Sequence, residues 1–353
     1  MQAPATPSVA SPETPIILVG ASVRSAAESA RRAGYRVYAV DRFGDRETRA
    51  AAERWFSLEA TKRTFPDDLR SVASTARIAI VGGLCDEYVG HSAFIGASPS
   101  AFQESDCPVF LANLARDARV HFPVTTTSLP ASRGPWLVKR TASCGGLGVT
   151  TLTSETPREL LAGSYIQRRE RGRVVGASFL GCRSESRLLG VCGLLTKRLE
   201  NRPFVFAGAV GPIPIRPTAL NQIRALGDAF VTRCRIDGPF NIDVVVNHDR
   251  VTLLEVNPRW SASMELLEAS WMHHLNRDCS FFEAFEVWNE RLRNGPCRQT
   301  FWKRIVYADR QATIRPERFK ADDSRRWCWT DTPHEPVLVQ KGEPIATMKS
   351  RAG

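Results

Sequence analysis

Two apolar, β-branched runs, NIDVVV and VTLLEVNPR, carry three oxygen-bearing side chains that an ordinary buried strand avoids: Asp243, Glu255 and Asn257. Side chains alternate along a strand, so Glu255 and Asn257, two apart, share one face and can share one cation. The intervening NHDR reads as a hairpin turn. Asp243 lies opposite Glu255 only if the loop has an odd length. A three-residue loop of His248, Asp249 and Arg250 satisfies this, because His and Asp tolerate the left-handed conformation such loops need. Two carboxylates and an amide oxygen suit a hard cation, magnesium first and manganese as the alternative, and argue against zinc. A polar-faced hairpin is the plainer reading, and the depletion of acidic residues in strands weighs against it.

Upstream, WLVKRTASCGGLGV predicts a strand carrying Lys139 and then a loop with Ser143, Gly145, Gly146 and Gly148. Glycines let backbone N–H groups approach phosphate oxygens, and a strand-anchored lysine adds a fixed positive charge. The order excludes a Walker A loop, in which the lysine follows the glycines. A glycine-rich loop alone is as readily a structural turn. Together with the carboxylate hairpin it outlines a site for a metal-bound polyphosphate.

Over residues 15 to 270 this arrangement resembles the ATP-grasp superfamily, which includes biotin carboxylase, carbamoyl phosphate synthetase and D-alanyl-D-alanine ligase. In that family a strand lysine precedes a mobile glycine-rich loop, as Lys139 precedes Gly145, Gly146 and Gly148. A hinge strand that holds adenine follows, and YIQRRERG is similar to it, which assigns Gln167, Arg168, Arg169 and Glu170 to the nucleotide. The resemblance makes Asp243, Glu255 and Asn257 the metal ligands and Arg259 the arginine of the E-x-N-x-R pattern, acting on the transferring phosphoryl group. Lys197, in TKRL, falls where the family places a further phosphate- or substrate-binding group. Two departures stand out. Residues 105 to 125 hold no second ATP-binding lysine, only Arg116 and Arg119, and Val174 and Val175 follow Gly172 and Arg173 where a ribose-binding glutamate is usual.

The amino-terminal stretch IILVGASVRSAAESARRAGYRVYAVD predicts strand, helix and strand, the first strand ending at Val19, the helix near Gly34 and the second strand at Asp41. Asp41 sits where a dinucleotide-binding unit has its ribose acid, but only Gly20 survives of the glycine fingerprint, which weighs against nicotinamide binding. IAIVGGLCDE predicts a later strand whose carboxyl-end loop bears Asp86 and Glu87, either ligand-facing or solvated.

At 353 residues and 43% hydrophobic, the chain can bury a large core in two or three units. The fold class expected is α/β, an ATP-grasp fold. A tail over 1–14 precedes a Rossmann-like domain over 15–104. The two-lobed α+β ATP-binding core spans 105–270, with a lid lobe at about 125–170 and a metal lobe at about 171–270, and a small β-rich segment fills 271–353. The tail has neither the basic start nor the apolar stretch of a signal peptide, and no apolar run is long enough for a membrane span. Nine cysteines without C-x-x-C pairs suit a reduced cytoplasm, with Cys144 a small loop residue rather than a nucleophile. The net charge of +11 is dispersed except at Arg168, Arg169, Arg171 and Arg173, and no nucleic-acid-binding motif accompanies it, so no nucleic-acid partner is expected.

His273 and His274 read as a helix-surface pair and Lys349 as a surface residue rather than a biotinylation site. The carboxy-terminal segment, including KRIVYAD, resembles that of ATP-grasp proteins linked to one-carbon, tetrahydromethanopterin-type cofactors. The activity implied is ATP- and magnesium-dependent joining of a small-molecule carboxylate to an amine through an acyl phosphate, with a homodimer compatible. Carboxylation, phosphotransfer and a non-catalytic ATP-binding regulator are the alternatives.

Overall fold

In a computed structural model, described for residues 14–59, 67–82, 95–132, 134–141, 143–157, 161–293, 295, 297–320 and 326–351, the chain builds three main sheets. The first is the amino-terminal unit: β1 (Pro15–Val19), α1 (Arg24–Arg32), β2 (Arg36–Asp41), α2 (Arg46–Ala51), β3 (Arg54–Ser57), α3 (Asp67–Ala73) and β4 (Arg77–Ile80). Its strands are parallel in the order β3-β2-β1-β4, as the strand–helix–strand pattern predicts. Asp41 is not open to a ligand. It is buried and accepts the N–H groups of Val23 (3.1 Å), Phe43 (3.2 Å) and Gly44 (2.9 Å) and the indole N–H of Trp55 (2.8 Å), so it knits the carboxyl end of this sheet. Asp86 and Glu87 lie outside the described residues.

Two helices, α4 (Pro99–Ser105) and α5 (Pro108–Asp117), lead into the second sheet: β5 (Thr125–Thr126), β6 (Trp136–Arg140), β7 (Val149–Thr151) and β8 (Ser164–Arg168). It is antiparallel in the order β5-β8-β6-β7 and packs round its own small core of Trp136, Val138 and Ile166.

The third and largest sheet begins with β9 (Arg173–Cys182), β10 (Glu185–Leu199) and β11 (Arg202–Gly211). After α6 (Pro217–Cys234) come β12 (Gly238–Asn247) and β13 (Arg250–Asn257), then α7 (Met264–Leu275) and α8 (Phe285–Leu292). The chain closes with β14 (Phe301–Tyr307), β15 (Ala312–Ile314), β16 (Trp327–Thr330), β17 (Val337–Val339) and β18 (Pro344–Ser350). The strand order is β13-β12-β9-β10-β11-β14-β18-β16, so the end of the chain completes the sheet that begins at residue 173, while β15 and β17 pair apart from it. Ala219, Ile223, Leu226 and Phe230 form the stripe by which α6 covers one face. Gly227 lets α6 come close enough to touch Phe179, since a Cβ there would lie 2.4 Å from that ring.

Helix α7 joins the large sheet to the amino-terminal unit through buried charge. Arg24 of α1, 1% exposed, donates to both carboxylate oxygens of Glu265 (2.8 Å each) and to Asp331 (2.8 Å). Lys303 of β14 also pairs with Glu265, and Arg32 and Ser29 reach Glu268. Lys349, expected at the surface, turns inward to Glu265 (3.3 Å), because β18 runs beside β14 and a buried carboxylate there needs compensation. His273 and His274 do lie exposed on the last turn of α7, edge-on to Phe301 and Trp271. Replacing Arg24 with methionine keeps the bulk of the side chain but removes the ion-pair partner of Asp331 and one of the three cations on Glu265, so Arg24→Met should lower the free energy of unfolding by about 3–5 kcal/mol in urea titration.

Candidate functional site

Strands β12 and β13 carry the acidic pair, but by a different route from the three-residue loop expected. Asn247 pairs with Arg250, leaving a two-residue loop of His248 and Asp249, with His248 left-handed (φ 55°). Such a loop alone would set Asp243 opposite Leu254. A β-bulge intervenes: Val244 pairs with Leu253 and Asp243 with Glu255, so Leu254 is the extra residue. The bulge restores the facing carboxylates and also frees the Leu254 carbonyl, which accepts the Lys139 Nζ–H at 3.2 Å.

The cavity holding these groups lies between the second sheet and the large sheet. It measures about 290 Å³ and is lined by Lys139, Gly145, Gly146, Gln167, Arg168, Arg169, Glu170, Asp243, Glu255, Asn257 and Arg259. Its apolar wall includes Leu137, Val149, Val174 and Leu254. Lys139, 8% exposed, also donates to Gln167 Oε1 (3.4 Å), whose amide nitrogen is fixed by Thr125 (3.1 Å). Glu170 meets His121 at 3.4 Å, and the Arg169 guanidinium lies over the Phe204 ring at 5.1 Å.

Three of the expected site residues stand apart from the lining. The Ser143 hydroxyl donates back to Arg140 O (3.0 Å) and packs against Gly148, where a Cβ would sit 2.3 Å from it, so both residues close the turn rather than face the cavity. Lys197 is exposed, with its Nζ 5.8 Å from the centre of the Tyr307 ring. Arg116 and Arg119 are also exposed and away from the lining.

Asn241, not anticipated from the sequence, donates to Asp243 Oδ1 at 2.7 Å and accepts from Ser178 at 3.1 Å. The period-2 rule that pairs Glu255 with Asn257 also places Asn241 beside Asp243, and that was the signal available.

The electrostatics of the pair follow from burial. Burial first, and then the adjacent Glu255 carboxylate, push Asp243 well above the ordinary carboxylate range. Burial opposes charge on Glu255 as well, but Lys139, then hydrogen bonds from Asp243 and Asn257, hold it below its usual value. Burial likewise opposes the Lys139 charge, yet Tyr165 and Glu255 hold that group above its ordinary value. The two acids therefore titrate as a coupled pair in which Asp243 keeps a proton more readily than Glu255. Asn257 Nδ2 sits between them, donating to Asp243 Oδ2 (3.2 Å) and Glu255 Oε1 (3.3 Å), while its Oδ1 accepts from Arg259 (2.8 Å).

This donor set fits a divalent cation. Displacing any proton on the pair and turning the Asn257 amide would present only hard oxygen ligands. Among the described residues, no group of three His, Cys, Asp or Glu side chains is placed to hold a metal, which leaves the acid pair and its amide as the candidate.

Residues 109–263 match the model of the ATP-grasp domain family, and the fold as a whole is the ATP-grasp fold. No curated protein sequence matches the chain. The backbone is similar to that of pyruvate carboxylase from Rhizobium etli, with a TM-score of 0.69 and 14% identity over 96% of this chain. That match spans only 35% of the carboxylase, about a third of its length. It is also similar to phosphoribosylamine–glycine ligase from Thermotoga maritima (TM-score 0.65, 15% identity, 96% of this chain and 93% of the ligase). A third relative in shape is N5-carboxyaminoimidazole synthetase from Staphylococcus aureus, solved with ADP (TM-score 0.62, 12% identity, 96% and 92%). No helix among the described residues is long and apolar enough to cross a membrane.

A raised Asp243 pKa has a direct consequence for cation binding. Below that pKa the cation must displace a proton, so affinity for Mg²⁺ or Mn²⁺ should rise about tenfold per pH unit. Calorimetric titration in buffers of different ionisation enthalpy, repeated across a range of pH, should show protons released on cation binding, more of them as the pH falls. Asp243→Asn should abolish both the release and the pH dependence.

Proposed function

We propose that this cavity binds ATP with magnesium and that the chain is an ATP-dependent ligase, joining a carboxylate to an amine through an acyl phosphate. One observation carries the reading. Lys139, the Gly145–Gly146 backbone, Asp243, Glu255, Asn257 and Arg259, separated by up to 120 positions in the sequence, converge on one cavity. At about 290 Å³ it lies near the lower bound for small-molecule sites, with the glycine loop seated over it.

Magnesium held by Asp243, Glu255 and Asn257 would supply charge neutralisation for the phosphates. The chain's own groups do the positioning. Lys139 is fixed by Gln167 and the Leu254 carbonyl, so its charge meets a polyphosphate without first having to be ordered. Arg259 is held by Asn257 Oδ1 and by the Trp260 carbonyl (3.1 Å), which aims the guanidinium across the cavity, where it can stabilise charge on a transferring phosphoryl group. The apolar wall accommodates a nucleobase and excludes water from a reactive acyl phosphate. The substrate carboxylate attacks the γ-phosphorus and ADP leaves; the amine then adds to the acyl carbon and inorganic phosphate departs.

Carboxylation is the second reading, favoured by the shape shared with pyruvate carboxylase, and bicarbonate dependence separates the two. A role in one-carbon cofactor biosynthesis rests on the resemblance of the carboxy-terminal segment alone.

The test is incubation with ATP, Mg²⁺ and a pool of cell metabolites, read by mass spectrometry. ADP should appear together with a product lighter by one water than two pool members combined. Glu255→Gln should reduce that turnover by at least about 100-fold, as loss of a group that acts only with charge in the transition state does. Undiminished turnover in Glu255→Gln would refute the assignment.

A further inference from the structure

The glycine loop does not hang free over the cavity; it is seated on the large sheet. Strand β14 pairs with β11 only from Gly208 to Gly211, so the other half of that edge of β11 has no β14 partner. There the Phe206 N–H donates to Gly145 O at 2.9 Å. Gly146, left-handed at φ 73°, lies so close to the strand that a Cβ would come within 1.9 Å of the Phe204 carbonyl oxygen. In an antiparallel strand the N–H and C=O of one residue point to the same edge. The Phe206 carbonyl therefore also faces this gap, and the Tyr307 hydroxyl, at the end of β14, donates to it at 2.5 Å. Tyr307 thus closes the gap where β14 diverges, leaving the Phe206 N–H as the group that meets the loop.

We propose that Tyr307 is a positioning residue for closure of the site: by tying down the Phe206 carbonyl it holds the free edge of β11 as the seat for Gly145 and Gly146. It rests on the ATP reading only for what the closed loop encloses. Two further features agree with the role. Burial pushes the Tyr307 phenol up to about 12, so it stays a hydrogen-bond donor at any ordinary pH. Lys197, whose place in the sequence suggested a ligand contact, instead lies over the Tyr307 ring.

Hydrogen exchange of the nucleotide-free protein tests this, read by mass spectrometry on peptides covering 143–149 and 202–208. Tyr307→Phe keeps the ring and removes one hydrogen bond, so exchange in both peptides should rise about fivefold, the weight of one neutral bond, while peptides from β9 and β12 stay unchanged. Gly146→Ala, which cannot seat against Phe204, should expose the same two peptides. In turnover, Tyr307→Phe should raise KM for ATP about fivefold and change kcat less than twofold. Unchanged exchange, or a uniform rise across the large sheet, overturns the proposal. Localised exchange in a protein that turns over no ATP supports the seat and refutes the nucleotide reading instead.

Discussion

Everything at the centre of this molecule depends on setting two carboxylates side by side on the wall of one cavity. Asp243 and Glu255 face each other across β12 and β13, both half-buried, and two like charges so close call for a compensating cation. The structure meets that demand in three ways: a raised proton affinity at Asp243, the Asn257 amide wedged between the pair, and Lys139 approaching from the opposite sheet. A divalent cation would replace any proton there and the amide N–H groups together. The site is thus built around a charge deficit, and the rest of the cavity arranges what can fill it.

The bulge at Leu254 makes that arrangement possible. A regular ladder from a two-residue loop would put an apolar side chain opposite Asp243 and keep the Leu254 carbonyl within the strand pairing. One extra residue corrects the register and hands a carbonyl to Lys139, so the lysine on the second sheet is tethered to the strand that bears Glu255 and Asn257. The second sheet's glycine loop and the large sheet are joined again where the Gly145 carbonyl accepts the Phe206 N–H.

Much of this was legible in the sequence because period-2 geometry is local. Glu255 and Asn257 must share a face wherever their strand lies, and the order of lysine, glycines and acids is a property of the chain alone. What escaped was decided by tertiary structure. A three-residue loop satisfies the facing requirement because its length is odd; a two-residue loop with a bulge satisfies it equally and leaves no mark in composition. Ser143 and Gly148 look like phosphate contacts from their neighbours, but the turn folds the serine back onto Arg140. Lys349 looks like a surface lysine until β18 is placed beside β14 and Glu265 is found beneath it. Asn241 was within reach, since it stands two residues from Asp243 in the same strand.

The two ends of the chain also bear on the cavity, through the segment between the acids and α7. Ser261, Ala262 and Ser263 line the cavity and lead directly into that helix. The Ala262 carbonyl accepts from Lys303 at 3.0 Å, and Glu265, two residues after Ser263, is gripped by Arg24 from the amino-terminal unit and by Lys303 and Lys349 from the last strands of the large sheet. A carboxylate held by three cations from three elements cannot shift without stranding charge in the interior. The wall of the cavity beyond Arg259 is therefore fixed by residues 325 positions apart, Arg24 and Lys349, and among the described residues the amino-terminal unit and the carboxy-terminal strands act on the site through α7 without either supplying a side chain to its lining.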